Sequence, residues 1–115
     1  MNAPLPHYRP MLAGTATAPF SDDSWLFEIK WDGVRAIATV GTTVSLKSRN
    51  DTELAGQFPE LAELTTLAPT TVLDGEIVVM REGKPDMQAL LPRLHETRPA
   101  PGSAPVTYIV FDILR

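Results

Sequence analysis

Three charged residues in the stretch FEIKWDGVRA are spaced so that they could act together. Glu28, Lys30 and Asp32 alternate with apolar neighbours, so in a β-strand all three would share one face. A lysine that is partly desolvated and close to other cations can have its pKa lowered until the neutral amine acts as a nucleophile. The alternative is an exposed strand face with solvated charges, which is the commoner case for an isolated strand.

Size and composition limit the classes of protein that the chain can belong to. Its 115 residues, 43% hydrophobic and 21% charged, suit one compact domain or part of a larger one. The absence of cysteine excludes disulfides and thiolate zinc sites, and His7 and His95 do not have the spacing of metal ligands. Any metal would therefore be held by carboxylates or by the phosphates of a ligand.

Charge and hydropathy narrow the partners and the location. A net charge of −4 and a pI near 5.0 argue against a free-standing basic nucleic-acid-binding module. No apolar run approaches the roughly 20 residues that a membrane-spanning helix needs, and the amino terminus lacks the pattern of a secretory signal. The sequence predicts a cytoplasmic protein without a membrane partner.

Alternating apolar segments and turn residues predict most of the strands. Asp32-Gly33, GTT and REGK are turn sequences that separate β-rich runs. The predicted strands are SWLFEIKW, VRAIATV, VSLKS, TTVLDGEIVVM and VTYIVFDIL, the last of them as a buried strand. An antiparallel meander is expected for the first three of these strands.

Two short helices are predicted between the strands. FPELAELTTL places Pro59 where a helix can begin and spaces Leu61, Leu64 and Leu67 along one side. Asp86 can cap a second helix through MQALLPRLH, which Pro92 would bend or end. The fold class is therefore α+β, an antiparallel β-sheet with two short helices.

Four segments together resemble a known superfamily. KWDGVR matches the K-x-D-G-x-R signature of covalent nucleotidyltransferases, which include ATP-dependent polynucleotide ligases and RNA capping enzymes. SLKSRN, LDGEIV and YIVFDIL resemble the motifs that follow it, in the family's order. RPMLAGTA, FPEL and MQALLPRL are most similar to the ligase modules of bacterial ATP-dependent DNA ligases, including those of end-joining systems. NAD-dependent ligases, RNA ligases and capping enzymes are less similar.

The resemblance implies a covalent mechanism. Lys30 would be the catalytic nucleophile that attacks the α-phosphate of ATP, releases pyrophosphate and retains AMP for transfer to a DNA 5′-phosphate. Mg²⁺ or Mn²⁺ would be bound mainly through the nucleotide phosphates, so no residue is assigned as a metal ligand. The fold would be part of the nucleotidyltransferase (ATP-grasp-like) adenylation domain.

The resemblance also implies a nucleotide-binding set. Glu28 would recognise adenine, Phe111 would stack on its ring and Glu76 would accept hydrogen bonds from the ribose. Arg35 and Arg49 would contact ribose or phosphate oxygens of the nucleotide or of nicked DNA, because a guanidinium suits oxyanions.

Each of these residues has a structural alternative. Arg35 and Arg49 could be surface arginines paired with carboxylates. Asp74-Gly75 could mark only a bulge or bend, and Glu76 an outward-facing strand residue. Phe111 alternates with isoleucines two residues away on either side, so by itself it reads as a core residue.

The family expects further motifs after FDIL: an acidic motif, a K-x-K pair for the α-phosphate, and an OB-fold domain. None of these lies within residues 1–115, which are therefore interpreted as the amino-terminal part of the adenylation domain. One hypothesis is a ligase that acts on nicked or broken duplex DNA when a downstream ligase half is supplied. The other is an inactive truncated relic with weak nucleotide binding, and a pure DNA-binding module is a distant third.

Overall fold

The structure is a computed structural model that describes residues 5–11, 31–96 and 99–115. Glu28 and Lys30, with nearly all of the strand predicted at SWLFEIKW, lie outside the described residues. The other four proposed site residues lie within them.

A four-stranded antiparallel sheet forms the centre of the fold. Its strands are β1 (Val34–Val40), β2 (Val44–Ser48), β3 (Thr71–Val78) and β6 (Thr107–Ile113), in the spatial order β2-β1-β3-β6. Two short strands, β4 (Met80–Arg81) and β5 (Lys84–Pro85), form a separate hairpin around the predicted REGK turn. The α+β class and the antiparallel sheet are confirmed.

The first predicted helix is only partly α-helical. Two 3₁₀ segments, Ala55–Gln57 and Pro59–Glu63, lead into a single turn of α-helix, α1 (Leu64–Leu67). Leu61 and Leu64 are buried as expected, but Leu67 is 70% exposed. The change from three to 3.6 residues per turn rotates later positions away from the buried side, which explains why the predicted leucine stripe is wrong at its end.

The second predicted helix, α2 (Met87–His95), is confirmed together with its cap. The Asp86 carboxylate accepts a hydrogen bond from the Ala89 amide at 3.1 Å, which satisfies one of the free donors at the helix start. Pro92 lies inside the helix and does not end it. No helix within the described ranges is long and apolar enough to cross a membrane.

One face of the sheet, here called the core face, packs against the helical segments. Alternate residues of β1 (Ala36, Ala38 and Val40) lie on this face and are fully buried. They join a cluster that includes Leu46, Leu54, Phe58, Leu61, Leu64, Leu73, Ile77, Val79 and Leu90. The intervening residues of β1 and β3, among them Arg35, Asp74 and Glu76, therefore lie on the opposite face, here called the site face.

Strand β6 was predicted to be buried, and this is wrong. It lies at the edge of the sheet, and Val110, Phe111 and Ile113 are exposed. A run of apolar residues reads alike in a central strand and in an edge strand, because the difference depends on which strands flank it.

The pairing of β6 with β3 contains a β-bulge. Gly75 is opposite Val110, whereas Asp74 is opposite Asp112, so Phe111 is an extra residue without a partner in the ladder. Such a bulge re-aims a side chain and interrupts the regular alternation of faces.

A buried arginine joins the helical segments. Arg93 of α2, only 3% exposed, makes two hydrogen bonds to Glu60, of 2.7 and 2.8 Å. It also donates to the carbonyls of Gln57 and Ala104, each at 2.7 Å. The same Glu60 carboxylate accepts from the Val106 amide at 3.1 Å, directly before β6 begins. Arg93 thus fixes α2, the two 3₁₀ segments and the entry to β6 relative to one another.

Candidate functional site

Arg35 is held in one orientation by its hydrogen bonds. Its Nε and Nη2 donate to the two carboxylate oxygens of Asp74 at 3.1 and 2.6 Å, and its Nη1 donates to the Met11 carbonyl. The Asp74 side chain is only 7% exposed and that of Arg35 is 24% exposed. The hydrogen bond to Asp74 raises the pKa of Arg35, with smaller contributions from the negative charges of Asp74 and Glu76.

The guanidinium of Arg35 also lies over an aromatic ring. Its Cζ is 5.3 Å from the centroid of the Phe111 ring, within the range of a cation–π interaction. Phe111 is the extra residue of the bulge and keeps 44% of its surface exposed. The expectation of a core phenylalanine is therefore wrong: Ile109, two residues earlier, is opposite Glu76 on the site face, so alternation places Phe111 on that face, where its ring lies against Arg35.

Two further carboxylates lie on the site face. Glu76 is half-buried and is directly opposite Arg35 in the β1–β3 register. Asp112 is exposed and is opposite Asp74 in the β3–β6 register. Three strands thus bring together one cation, three carboxylates and an exposed ring. Asp74 and Asp112 are the members of this cluster to which the sequence assigned no functional role.

Two motif glycines allow strands to approach closely. A Cβ on Gly33 would lie well inside 3.0 Å of the Ile77 carbonyl oxygen, and one on Gly75 would be equally close to the Ile109 carbonyl. Real Cβ atoms are essentially never found at such distances. The glycine of KWDG therefore lets the chain enter β1 against β3, and the glycine of LDGE lets β6 pack at the bulge.

A tyrosine on the core face ties β6 to the rest of the sheet. The Tyr108 hydroxyl donates to the Ala36 carbonyl of β1 at 2.7 Å, and the Leu73 carbonyl of β3 lies at 3.3 Å. Burial raises the pKa of Tyr108, and the negative charge of Asp74 adds to the increase. This side chain spans the sheet beneath the cluster that contains Arg35 and Phe111.

The amino-terminal segment 5–11 contacts the sheet at two points. His7 Nε2 lies 2.9 Å from a carboxylate oxygen of Asp51, after the end of β2, and the Met11 carbonyl accepts from Arg35. The sequence assigned no role to His7. These contacts make the segment part of the surroundings of Arg35.

The remaining predicted residues are not brought into this cluster. Arg49 lies in the turn after β2 and is exposed, and it forms no ion pair with any residue in the described ranges. Lys30 and Glu28 precede β1 and lie outside the described residues.

Among the described residues, no group of three histidine or acidic side chains could hold a metal ion. Both carboxylate oxygens of Asp74 accept hydrogen bonds from Arg35.

The chain matches proteins of known class along most of its length. Residues 10–115 match the ATP-dependent DNA ligase domain family. The chain is 38% identical to DNA ligase C of Mycobacterium tuberculosis over 117 residues, covering 96% of this chain and 32% of that protein. It is 35% identical to the SPbeta prophage-derived DNA ligase-like protein LigB of Bacillus subtilis over 107 residues, covering 91% of this chain and 38% of the relative.

A solved structure agrees with these relatives. Mycobacterial DNA ligase D complexed with ATP and MES superposes with a TM-score of 0.64 at 30% identity, over 76% of this chain and 28% of that one. The chain thus spans about a third of the length of the relatives that it matches. On the match of residues 10–115, the chain belongs to the ATP-dependent DNA ligase domain family.

Proposed function

We propose that this chain is the amino-terminal part of a ligase adenylation domain, in which Lys30 is adenylylated by ATP. The Nζ of Lys30, as the neutral amine, attacks the α-phosphorus of ATP, a P–N bond forms and the bond to the β-phosphate oxygen breaks. Pyrophosphate leaves, and the lysine nitrogen releases its proton to solvent.

The stored AMP is then transferred to DNA. An oxygen of a DNA 5′-phosphate attacks the phosphorus, the P–N bond breaks and the lysine regains a proton. A 3′-hydroxyl next attacks the activated 5′-phosphate and expels AMP, which seals a nicked or broken duplex. The rest of the ligase, on the same or another chain, supplies the surfaces for DNA and for the later steps.

The observation that carries the proposal is the convergence on the site face. Arg35, Glu76 and Phe111, which belong to three of the four family motifs, come from three neighbouring strands and share the site face, where the Phe111 ring lies against Arg35. A planar base can stack on such a ring, and Glu76 can accept hydrogen bonds from ribose hydroxyls.

The other nucleotide contacts follow the same assignment. Glu28 recognises adenine, Arg49 contacts phosphate oxygens, and Arg35 belongs to the same nucleotide site. The relative solved with ATP supports ATP as the nucleotide. Mg²⁺ or Mn²⁺ would arrive bound to the nucleotide phosphates, and we assign it no ligand and no step on this chain.

Intact-protein mass after incubation with ATP and Mg²⁺ or Mn²⁺ tests the proposal. The chain contains only three lysines, Lys30, Lys47 and Lys84, so each can be replaced by alanine in turn. The addition of one AMP should be lost in Lys30→Ala and kept in Lys84→Ala, the matched control on the exposed hairpin.

The absence of an adduct on folded wild-type protein would be followed by adding the downstream ligase half. If the joined halves also failed to form an adduct on Lys30, the assignment of Lys30 would be wrong and the inactive-relic hypothesis would stand.

A further inference from the structure

We infer that the Arg35 guanidinium fixes the orientation of the Phe111 ring, a role here called the brace. Asp74 is the positioning residue that holds the guanidinium in place. The ligand class concerned is the adenine base. That part rests on the proposed function, whereas the brace itself is a property of the unliganded chain.

The hydrogen bonds of Arg35 leave it poorly placed to grip a phosphate. A guanidinium has five N–H donors, and the edge formed by Nε and Nη2 is one that binds oxyanions in bidentate fashion. Asp74 occupies this edge with both carboxylate oxygens, and the Met11 carbonyl takes a donor of Nη1. Only one N–H on each terminal nitrogen remains, and the charge is already paired.

What Arg35 does offer is a flat surface. Its Cζ lies 5.3 Å from the centroid of Phe111, so the guanidinium covers part of the ring, while 44% of the residue stays exposed to a ligand. A planar cation held in this way attracts the ring electrostatically and restricts its rotation.

The bulge explains why a brace is needed. Phe111 has no partner in the β3–β6 ladder, so backbone pairing alone does not fix the direction of its side chain. Asp74 lies on β3 directly at this irregularity and accepts hydrogen bonds from the guanidinium with both carboxylate oxygens. The buried Asp74 carboxylate thus fixes the Arg35 guanidinium, and the guanidinium in turn fixes the Phe111 ring.

Binding of adenosine and of ATP distinguishes a brace from a phosphate ligand. Titration of the full chain with each ligand, followed calorimetrically, compares wild type with Arg35→Lys, which keeps the charge and loses the planar fork. A brace predicts that both ligands weaken by the same factor, about tenfold. A phosphate ligand predicts that ATP weakens and adenosine does not, and that result would overturn the inference.

Double-mutant cycles test the order of the chain. Asp74→Asn should weaken adenosine binding by a factor similar to Arg35→Lys, and the double variant should lose little more, because the two residues act as one unit. In a Phe111→Leu background, Arg35→Lys should have no further effect on adenosine. Independent, multiplicative effects of Arg35 and Phe111 would contradict the brace.

A measurement without ligand keeps the brace testable if binding fails. In nuclear magnetic resonance spectra of the free protein, the Arg35 Nε–H signal should carry a ring-current shift from Phe111. Phe111→Leu should remove this shift, and Asp74→Asn should move the signal and speed its exchange with water. If neither adenosine nor ATP binds wild type, even with the downstream ligase half added, the proposed function fails, whereas an Arg35 signal unchanged by Phe111→Leu refutes the brace.

Discussion

Replacing Arg93 with methionine removes the guanidinium that joins α2, the two 3₁₀ segments and the entry to β6. The methionine side chain replaces the apolar stem but not the guanidinium, so the loss is mainly that of the polar contacts. Four hydrogen bonds disappear: two to Glu60 and one each to the carbonyls of Gln57 and Ala104.

The size of the loss follows from burial. Breaking a buried ion pair costs about 3–5 kcal/mol when the remaining charge stays buried. Glu60 is 33% exposed, so its carboxylate regains water and the cost falls toward the lower end. We expect Arg93→Met to lower the free energy of unfolding by about 3 kcal/mol, which corresponds to a fall in Tm of roughly 12–20 °C for a domain of this size.

Urea unfolding followed by circular dichroism measures this loss against a matched control. Arg81 is 60% exposed and makes one ion pair, with Asp86 at 3.5 Å, so Arg81→Met should cost less than about 1 kcal/mol. A cycle with Glu60→Gln isolates the coupling between the two charges. If Arg93→Met costs no more than Arg81→Met at an unchanged m-value, Arg93 does not have the structural role described above.

Three further predictions follow from close contacts and shifted pKa values. Gly75→Ala should lower the free energy of unfolding by about 1–3 kcal/mol in the same urea assay, because its Cβ would meet β6 backbone. The matched Gly41→Ala, with nothing nearer than 4.0 Å, should be almost neutral, and an equal loss in both would contradict this reasoning. Tyr108→Phe should lower the free energy of unfolding by about 1–2 kcal/mol, because the hydrogen bond to Ala36 is lost. Above pH 10.0 the variant should lose less stability than the wild type, because the raised pKa of Tyr108 makes this tyrosine ionise first in the unfolded state. The hydrogen bonds from Arg93 lower the pKa of Glu60 below 4.5. The stability that this pair contributes is therefore present above that pH and is lost on acidification. As the pH falls, the urea midpoint of Arg93→Met should decline less steeply than that of the wild type.

Local sequence signals predicted the parts of the fold that depend on neighbours along the chain. Alternation and turn residues predict β1, β2 and β3. Asp86 is predictable as the cap of α2 because its carboxylate binds the amide of Ala89, only three residues along the chain. The family resemblance implied that Arg35, Glu76 and Phe111 belong to one site, and the three residues lie on one face of the sheet.

Properties that depend on distant partners could not be predicted. Arg93 and Glu60 are 33 residues apart, and nothing in the helical period of α2 marks that arginine as buried. The pairing of Arg35 with Asp74 and the bulge at Phe111 depend on strand register, which is set by the assembled sheet. The exposure of β6 was missed for the same reason.

The bulge makes the length of β6 as important as its composition. Before Phe111, Tyr108 and Val110 share the core face, whereas after it Ile113 lies on that face and Asp112 on the other. Deleting Phe111, the one residue between the two groups, would restore regular pairing and leave Asp112 and Ile113 on their present faces. The shortened strand would keep its ladder but lose the ring that lies over Arg35. Homologues of this domain that use this ring should therefore keep the extra residue of the bulge as well as its aromatic side chain.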